Sequence, residues 1–157
     1  KIFIIYEENL SFVINYFWVD ISYSLNSIQD ASNFIINNCK SKLILFEGDL
    51  GLGKTTLIKK ICMDLGSNNK VSSPTFPILN IYDNGKYGNI FHVDLFRVNN
   101  ISDLNELGFY EILDLPNWIF IEWPDKFKKI FDKNHTLIKI KEISKNKRKL
   151  SLTNHEF

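Results

Sequence analysis

Apolar residues recur along this chain with two periods, and the periods divide it into elements. From Leu25 to Ile36, positions 25, 28, 31, 34 and 35 are apolar, which places them on one side of a helix. Ser24 stands ahead of that face as its N-cap. The run 42–47 holds Leu43, Ile44, Leu45 and Phe46, continuously apolar as in a buried strand. Leu57, Ile58, Ile61 and Leu65 return to helical spacing, and Gly66 ends that helix before a polar linker, Ser67–Lys70. Pro77–Tyr82 and Gly88–Asp94 read as strands joined through Asp83-Asn84-Gly85-Lys86, whose Asn-Gly pair favours a hairpin. Ser102–Leu107 predicts a short helix with Ser102 as cap and Gly108 as stop. Trp118–Glu122 reads as a buried strand. Thr136–Ile143 and Lys147–Thr153 alternate with period two across Ser144-Lys145-Asn146, a second antiparallel hairpin.

These elements predict an α/β domain over residues 22–157: a mixed sheet flanked by helices, with antiparallel hairpins at 77–94 and 136–153. A chain of 157 residues is long enough for one sizeable core. Residues 1–21 form an N-terminal extension whose pattern fits no single element.

The junction at Phe46 carries the chemistry. Gly48-Asp49-Leu50-Gly51-Leu52-Gly53-Lys54-Thr55 fits G-x-x-x-x-G-K-[ST], the phosphate-binding loop (Walker A). Strand before and helix after are the context the motif needs, so the fold expected is P-loop NTPase-like. Glycines let the backbone wrap a phosphate without Cβ clashes. Successive N–H groups then form an anion nest at a positive helix end. Lys54 would reach the β- and γ-phosphates, and the Thr55 hydroxyl would ligate Mg²⁺.

Hydrolysis needs acids as well as a loop. Two apolar strands end in a carboxylate, Ile90-Phe91-His92-Val93-Asp94 and Ile119-Phe120-Ile121-Glu122. Strand ends beside the loop are where Mg²⁺ and the attacking water are handled. Ser73-Pro74-Thr75-Phe76 lies in a loop about twenty residues on, where GTPase-like switches place a sensing Thr; a plain Ser-Pro turn fits equally. His92 shares a strand face with Ile90 and Asp94. It either orients Asp94 or is a satisfied core histidine. His135 and His155 read as surface residues.

Composition changes the picture in three places. Net charge is +1, so overall electrostatics gives no argument for nucleic acid or membrane. The chain has 17 Lys against 2 Arg, with 18 Asn and 22 Ile, a bias that A/T-rich codons explain. Lys139–Lys149 therefore reads as a solvated hairpin. Arg97 could meet phosphate or a partner protein, or make a surface ion pair. Cys39 and Cys62 lack metal spacing, and Cys62 reads as inert packing. No run approaches the ~18 apolar residues of a membrane helix, and sparse cysteines fit a reducing cytoplasm.

Five motifs occur in order: Gly48 to Thr56, Ser73-Pro74-Thr75-Phe76, His92-x-Asp94-Leu95-x-Arg97, Glu106-Leu107-Gly108 and Glu122-Trp123-Pro124. Together they resemble the TsaE (YjeE) family, bacterial ATPases of tRNA threonylcarbamoyladenosine biosynthesis. The likeness is firm from Leu43 to about Asp125 and looser from Ser24 to Thr153. It implies an ATP-binding and ATP-hydrolysing subunit acting with the TsaD–TsaB pair, which modifies adenosine 37 of tRNAs reading codons that begin with A. It implies tRNA contact through that complex, and no membrane. ATP would be bound by Asp49, Leu50, Gly51, Leu52, Gly53, Lys54, Thr55, Thr56 and Trp123. Mg²⁺ would be bound by Thr55, Asp94 and Glu122. Catalysis would fall to Glu122, Asp94 and Lys54, with Thr75 in the switch-like loop. Leu52, Phe96 and Pro77 depart from the family pattern, which commonly has Ala, Tyr and Thr there.

Two rivals are weaker. A GTPase would carry Asn-Lys-x-Asp, but Asn69-Lys70 is followed by Val71-Ser72. A small-molecule kinase commonly has an arginine-bearing lid, and neither Arg97 nor Arg148 lies in a lid-like segment. A nucleotide-dependent binding module without turnover stays open.

Overall fold

The structure, a computed structural model, describes residues 18–67, 78–85 and 88–157. Seven strands form one sheet in the order β1-β7-β6-β2-β5-β4-β3. They are β1 Val19–Tyr23, β2 Leu43–Glu47, β3 Leu79–Asp83, β4 Asn89–Asp94, β5 Trp118–Glu122, β6 His135–Ser144 and β7 Lys147–His155. β2 lies near the centre, parallel to β5 on one side and to β6 on the other. β4 continues parallel beyond β5. The hairpins β3–β4 and β6–β7 and the strand β1 add antiparallel edges.

Alternation along β2 explains its continuous apolar run. Ile44 and Phe46 point into one core, with α1 (Ile28–Asn38) and α2 (Lys54–Asp64). Leu43 and Leu45 point into a second core on the opposite face, with α3 (Ile101–Glu106) and α4 (Phe109–Leu113). A strand covered on both faces has no polar side to show. Phe120 joins the first core, while Ile119 and Ile121 join the second. The side chains of Ile90, His92, Asp94 and Glu122 therefore share the α2 face.

Several boundaries differ from the sequence pattern. The helix expected from Leu25 begins as a 3₁₀ turn, Leu25–Ser27, before α1. The Ser24 N–H donates to Ser27 Oγ at 3.0 Å and tightens that turn. α3 starts one residue before Ser102, with Asn100 as its cap residue. Gly108 does not terminate the helical region. It takes a left-handed conformation at φ 63° and turns the chain into α4, a five-residue helix that the pattern missed. β1 runs across the division placed between residues 21 and 22, so Val19, Asp20 and Ile21 pair with Leu152, Ser151 and Leu150. Among the described residues no helix is long and apolar enough to cross a membrane.

Candidate functional site

The loop 48–53 joins the carboxyl end of β2 to the first turn of α2. Gly51 at φ 81° and Gly53 at φ 88° hold left-handed backbone that a side chain would strain. The first turn of α2 carries N–H groups with no helical partner, directed at the space above the sheet. Lys54, though charged, is 4% exposed. Its Nζ donates to the carbonyls of Gly48 at 2.5 Å and Asp49 at 3.0 Å. The same ammonium lies 3.7 Å from the centroid of the Trp123 ring. Burial pulls the Lys54 ammonium below its usual pKa, while Glu122, Asp94, Asp49 and Asp125 oppose that shift.

Glu122 is the focus of the acid side. It ends β5 and is buried. Its Oε1 accepts from Thr55 Oγ1 at 2.7 Å and meets His92 Nε2 at 2.9 Å. The chain continues outward from His92 Nδ1 to the Tyr82 hydroxyl at 3.2 Å, and from there to Asn80 Nδ2 at 3.3 Å. A carboxylate oxygen can only accept, so His92 Nε2 is the donor to Glu122.

Asp94 sits beside Glu122 in register. Its Oδ1 accepts the Phe96 N–H at 3.0 Å. Burial raises the Asp94 carboxyl above its usual pKa, and the Glu122 charge adds to that; the Phe96 N–H, His92 and Lys54 oppose it. Of the two readings of His92, the structure matches the satisfied core histidine: it is fully buried with both ring nitrogens hydrogen-bonded, and its carboxylate partner is Glu122 and not Asp94. Trp123 adopts φ 60°, the one non-glycine residue with positive φ among the described residues. That conformation places its ring over Lys54 and 4.9 Å from the Phe96 ring.

Thr56, Asp49 and Leu50 are exposed around the loop, and Leu52 packs against the first core. Arg97 is exposed on the segment after β4. Thr75 and its Ser-Pro context lie outside the described residues. Glu47, which the sequence did not single out, ends β2 and pairs with Lys128 and Lys139, each at 3.2 Å. Cys62 is fully buried, and burial pushes its thiol up to about 12, an inert state. His135 and His155 are not the surface residues expected. His135 is buried, and the two rings stack with centroids 4.5 Å apart at the opposite end of β6 and β7.

The residues fit a magnesium nucleotide. A hydroxyl and a carboxylate in contact, a second carboxylate adjacent and an ammonium against the loop are the protein's share of such a site. Among the described residues no three or more His, Cys, Asp or Glu side chains are grouped to hold a metal ion alone. Mg²⁺ is commonly held by one or two carboxylates together with substrate phosphates.

Residues 23–150 match the family described as Threonylcarbamoyl adenosine biosynthesis protein TsaE. The tRNA threonylcarbamoyladenosine biosynthesis protein TsaE of Rickettsia prowazekii is 36% identical over 143 residues, covering 86% of this chain and 96% of that protein. The protein of the same name from Synechocystis is 36% identical over 91 residues, covering 56% of this chain and 57% of its own. The crystal structure of YdiB from Bacillus subtilis superposes with a TM-score of 0.70 at 20% identity, covering 88% of this chain and 86% of that one. That likeness shows a shared fold.

Proposed function

The chain belongs to the TsaE family, and from that membership we propose that it binds and hydrolyses ATP as a subunit required for threonylcarbamoyl modification of tRNA. In this reading it acts in the cytoplasm with the TsaD–TsaB pair on adenosine 37 of tRNAs that read codons beginning with A. The observation that carries the ATPase part is the contact between Thr55 and Glu122, at 2.7 Å, beside the buried Lys54. Loop hydroxyl, strand-end acid and loop ammonium stand together on one face of the sheet.

The roles follow from the contacts. Lys54 leaves the Gly48 and Asp49 carbonyls to meet phosphate oxygens. Thr55, Glu122 and Asp94 would hold Mg²⁺, which supplies positive charge between the phosphates. His92 keeps the Glu122 carboxylate directed at Thr55. Asp94, which makes fewer hydrogen bonds than Glu122, would also orient the water that attacks the γ-phosphorus, whose proton passes to the phosphate product. The bond from that phosphorus to the bridging oxygen breaks, and ADP and phosphate leave.

Lys54→Ala tests the reading. Losing a charge-assisted contact should cost about 2–3 kcal/mol of ATP binding, roughly 30- to 150-fold. A folded variant that binds and hydrolyses ATP as the parent does would overturn it. A parent that binds ATP tightly but shows no turnover, even with its partners, would favour a nucleotide-dependent binding module.

A further inference from the structure

The acids stand on β5 and β4, to one side of β2, whereas β6, β7 and β1 lie on the other side. On that second side Arg148, in β7, pairs with Tyr23 of β1. Leu150 and Leu152, which follow Arg148 at strand period, are fully buried in the core beneath α1 and α2. Arg148 therefore projects onto the same face as the loop. Its Nε lies 4.0 Å from the position a Cβ on Gly53 would take. That Nε is buried, and among the described residues it has no hydrogen-bond partner. The Tyr23 hydroxyl beside it is in the same condition. Burial pushes the Tyr23 phenol up and the Arg148 charge pulls it down, so the two are within electrostatic reach. Among the described residues no carboxylate forms an ion pair with Arg148, and its register partner on β6, Glu142, is exposed.

Two unpaired buried polar groups at the border of a phosphate loop are costly unless a ligand satisfies them. We propose that Arg148, with the Tyr23 hydroxyl, forms the nucleoside end of the nucleotide site, the guanidinium lying against the purine and its ribose. The inference rests on the reading of the loop as a nucleotide site. A nucleotide whose terminal phosphates face Lys54 and the acids must carry its nucleoside away from β5 and β4, toward β6 and β7. A guanidinium suits that place. It is planar, weakly hydrated and stacks on aromatic faces, while its Nε–H gives an in-plane donor to a ribose or ring acceptor. Lysine, abundant elsewhere in this hairpin, has none of that geometry.

Calorimetric titration of the full chain with ATP, ADP and inorganic tripolyphosphate, in Mg²⁺, tests the proposal. Arg148→Ala should weaken ATP and ADP by at least ~10-fold, in the range of base-stacking contacts, and leave tripolyphosphate within ~2-fold. Arg148→Lys should restore less than ~3-fold of that loss, and Tyr23→Phe should show a smaller loss confined to the nucleotides. Should Arg148→Ala fail to fold, Arg148→Lys carries the same comparison. Equal losses for ATP and tripolyphosphate, or no loss for either, would overturn the proposal. So would a lowered melting temperature with the ATP-to-tripolyphosphate ratio unchanged, the mark of a structural role. A parent that binds neither ATP nor tripolyphosphate would instead defeat the nucleotide reading itself.

Discussion

His92 is fully buried between two hydrogen bonds, and Glu122 depends on one of them. His92→Phe keeps the volume but withdraws a donor from a buried carboxylate. Stability should fall by about 1–3 kcal/mol, a melting shift of roughly 2–4 °C per kcal/mol for a domain of this size. Hydrolysis should fall further than ATP binding does, because Glu122 loses its direction and Lys54 does not. A variant with unchanged melting and turnover would remove His92 from the site. The stacked pair at the other end of the sheet behaves differently. Burial, with help from His135 and Lys139, lowers His155 from 6.5 to about 4. His135 is lowered too, by burial. A depressed folded pKa means the unfolded chain binds the proton first. The stability it contributes is therefore present above pH 6.5 and is lost as pH falls toward 4. For a half-buried ring the loss is about 1–2 kcal/mol after solvent screening. His155→Phe retains the stack and should flatten the urea midpoint between those pH values; an equally steep parent and variant would contradict the assignment.

At the scale of elements, the phosphate loop is tied to the hairpin beside it. A Cβ on Gly48 would come 2.7 Å from the Ile140 carbonyl oxygen, backbone that cannot step aside. Gly51, by contrast, opens onto free space, and only its φ of 81° resists a side chain. Gly48→Ala should therefore destabilise by about 2–3 kcal/mol through overpacking, and Gly51→Ala by about 1–2 kcal/mol through left-handed strain. Denaturant unfolding of the two variants should rank them in that order; the reverse order would show that the loop does not pack on β6 as described. The elements that sequence pattern placed well are those with one dominant signal. β2, α2 and the β6–β7 hairpin have continuous, helical and alternating runs respectively, and each formed where expected. α4 was hidden because five residues give little more than one turn of periodicity, and Gly108 resembled a stop. A glycine at φ 63° serves a junction as readily as an end. The role of His92 was hidden because its partner Glu122 lies on a neighbouring strand. Period-two reading of one strand finds only Asp94, and the parallel register of β4 with β5 is set by tertiary packing.

For the whole molecule, strand order decides which side chains meet. β2 between β5 and β6 sets the acids on one side of the loop and Arg148 on the other. No local window of sequence carries that order. The same order brings Lys54, Thr55 and Glu122 together, with the Trp123 ring against Lys54 and the Phe96 ring beside it. Phe96 is exposed at that rim. Lys54 is engaged with loop carbonyls, and Glu122 with Thr55 and His92. Under the proposed function, turnover by the isolated chain should be slow, because the partners complete the site or release the product state. Glu122→Gln keeps the shape of the side chain and removes its charge. It should lower hydrolysis by about 100-fold or more while changing ATP affinity by less than about 10-fold. The most direct measurement is reconstitution of the parent, Lys54→Ala and Glu122→Gln with the TsaD–TsaB pair, ATP, threonylcarbamoyl-adenylate and tRNA, reading modified adenosine by mass spectrometry over repeated rounds. Sustained cycling is expected with the parent, and arrest after the first rounds with either variant. Equal cycling with the variants, or with no added chain, would contradict it.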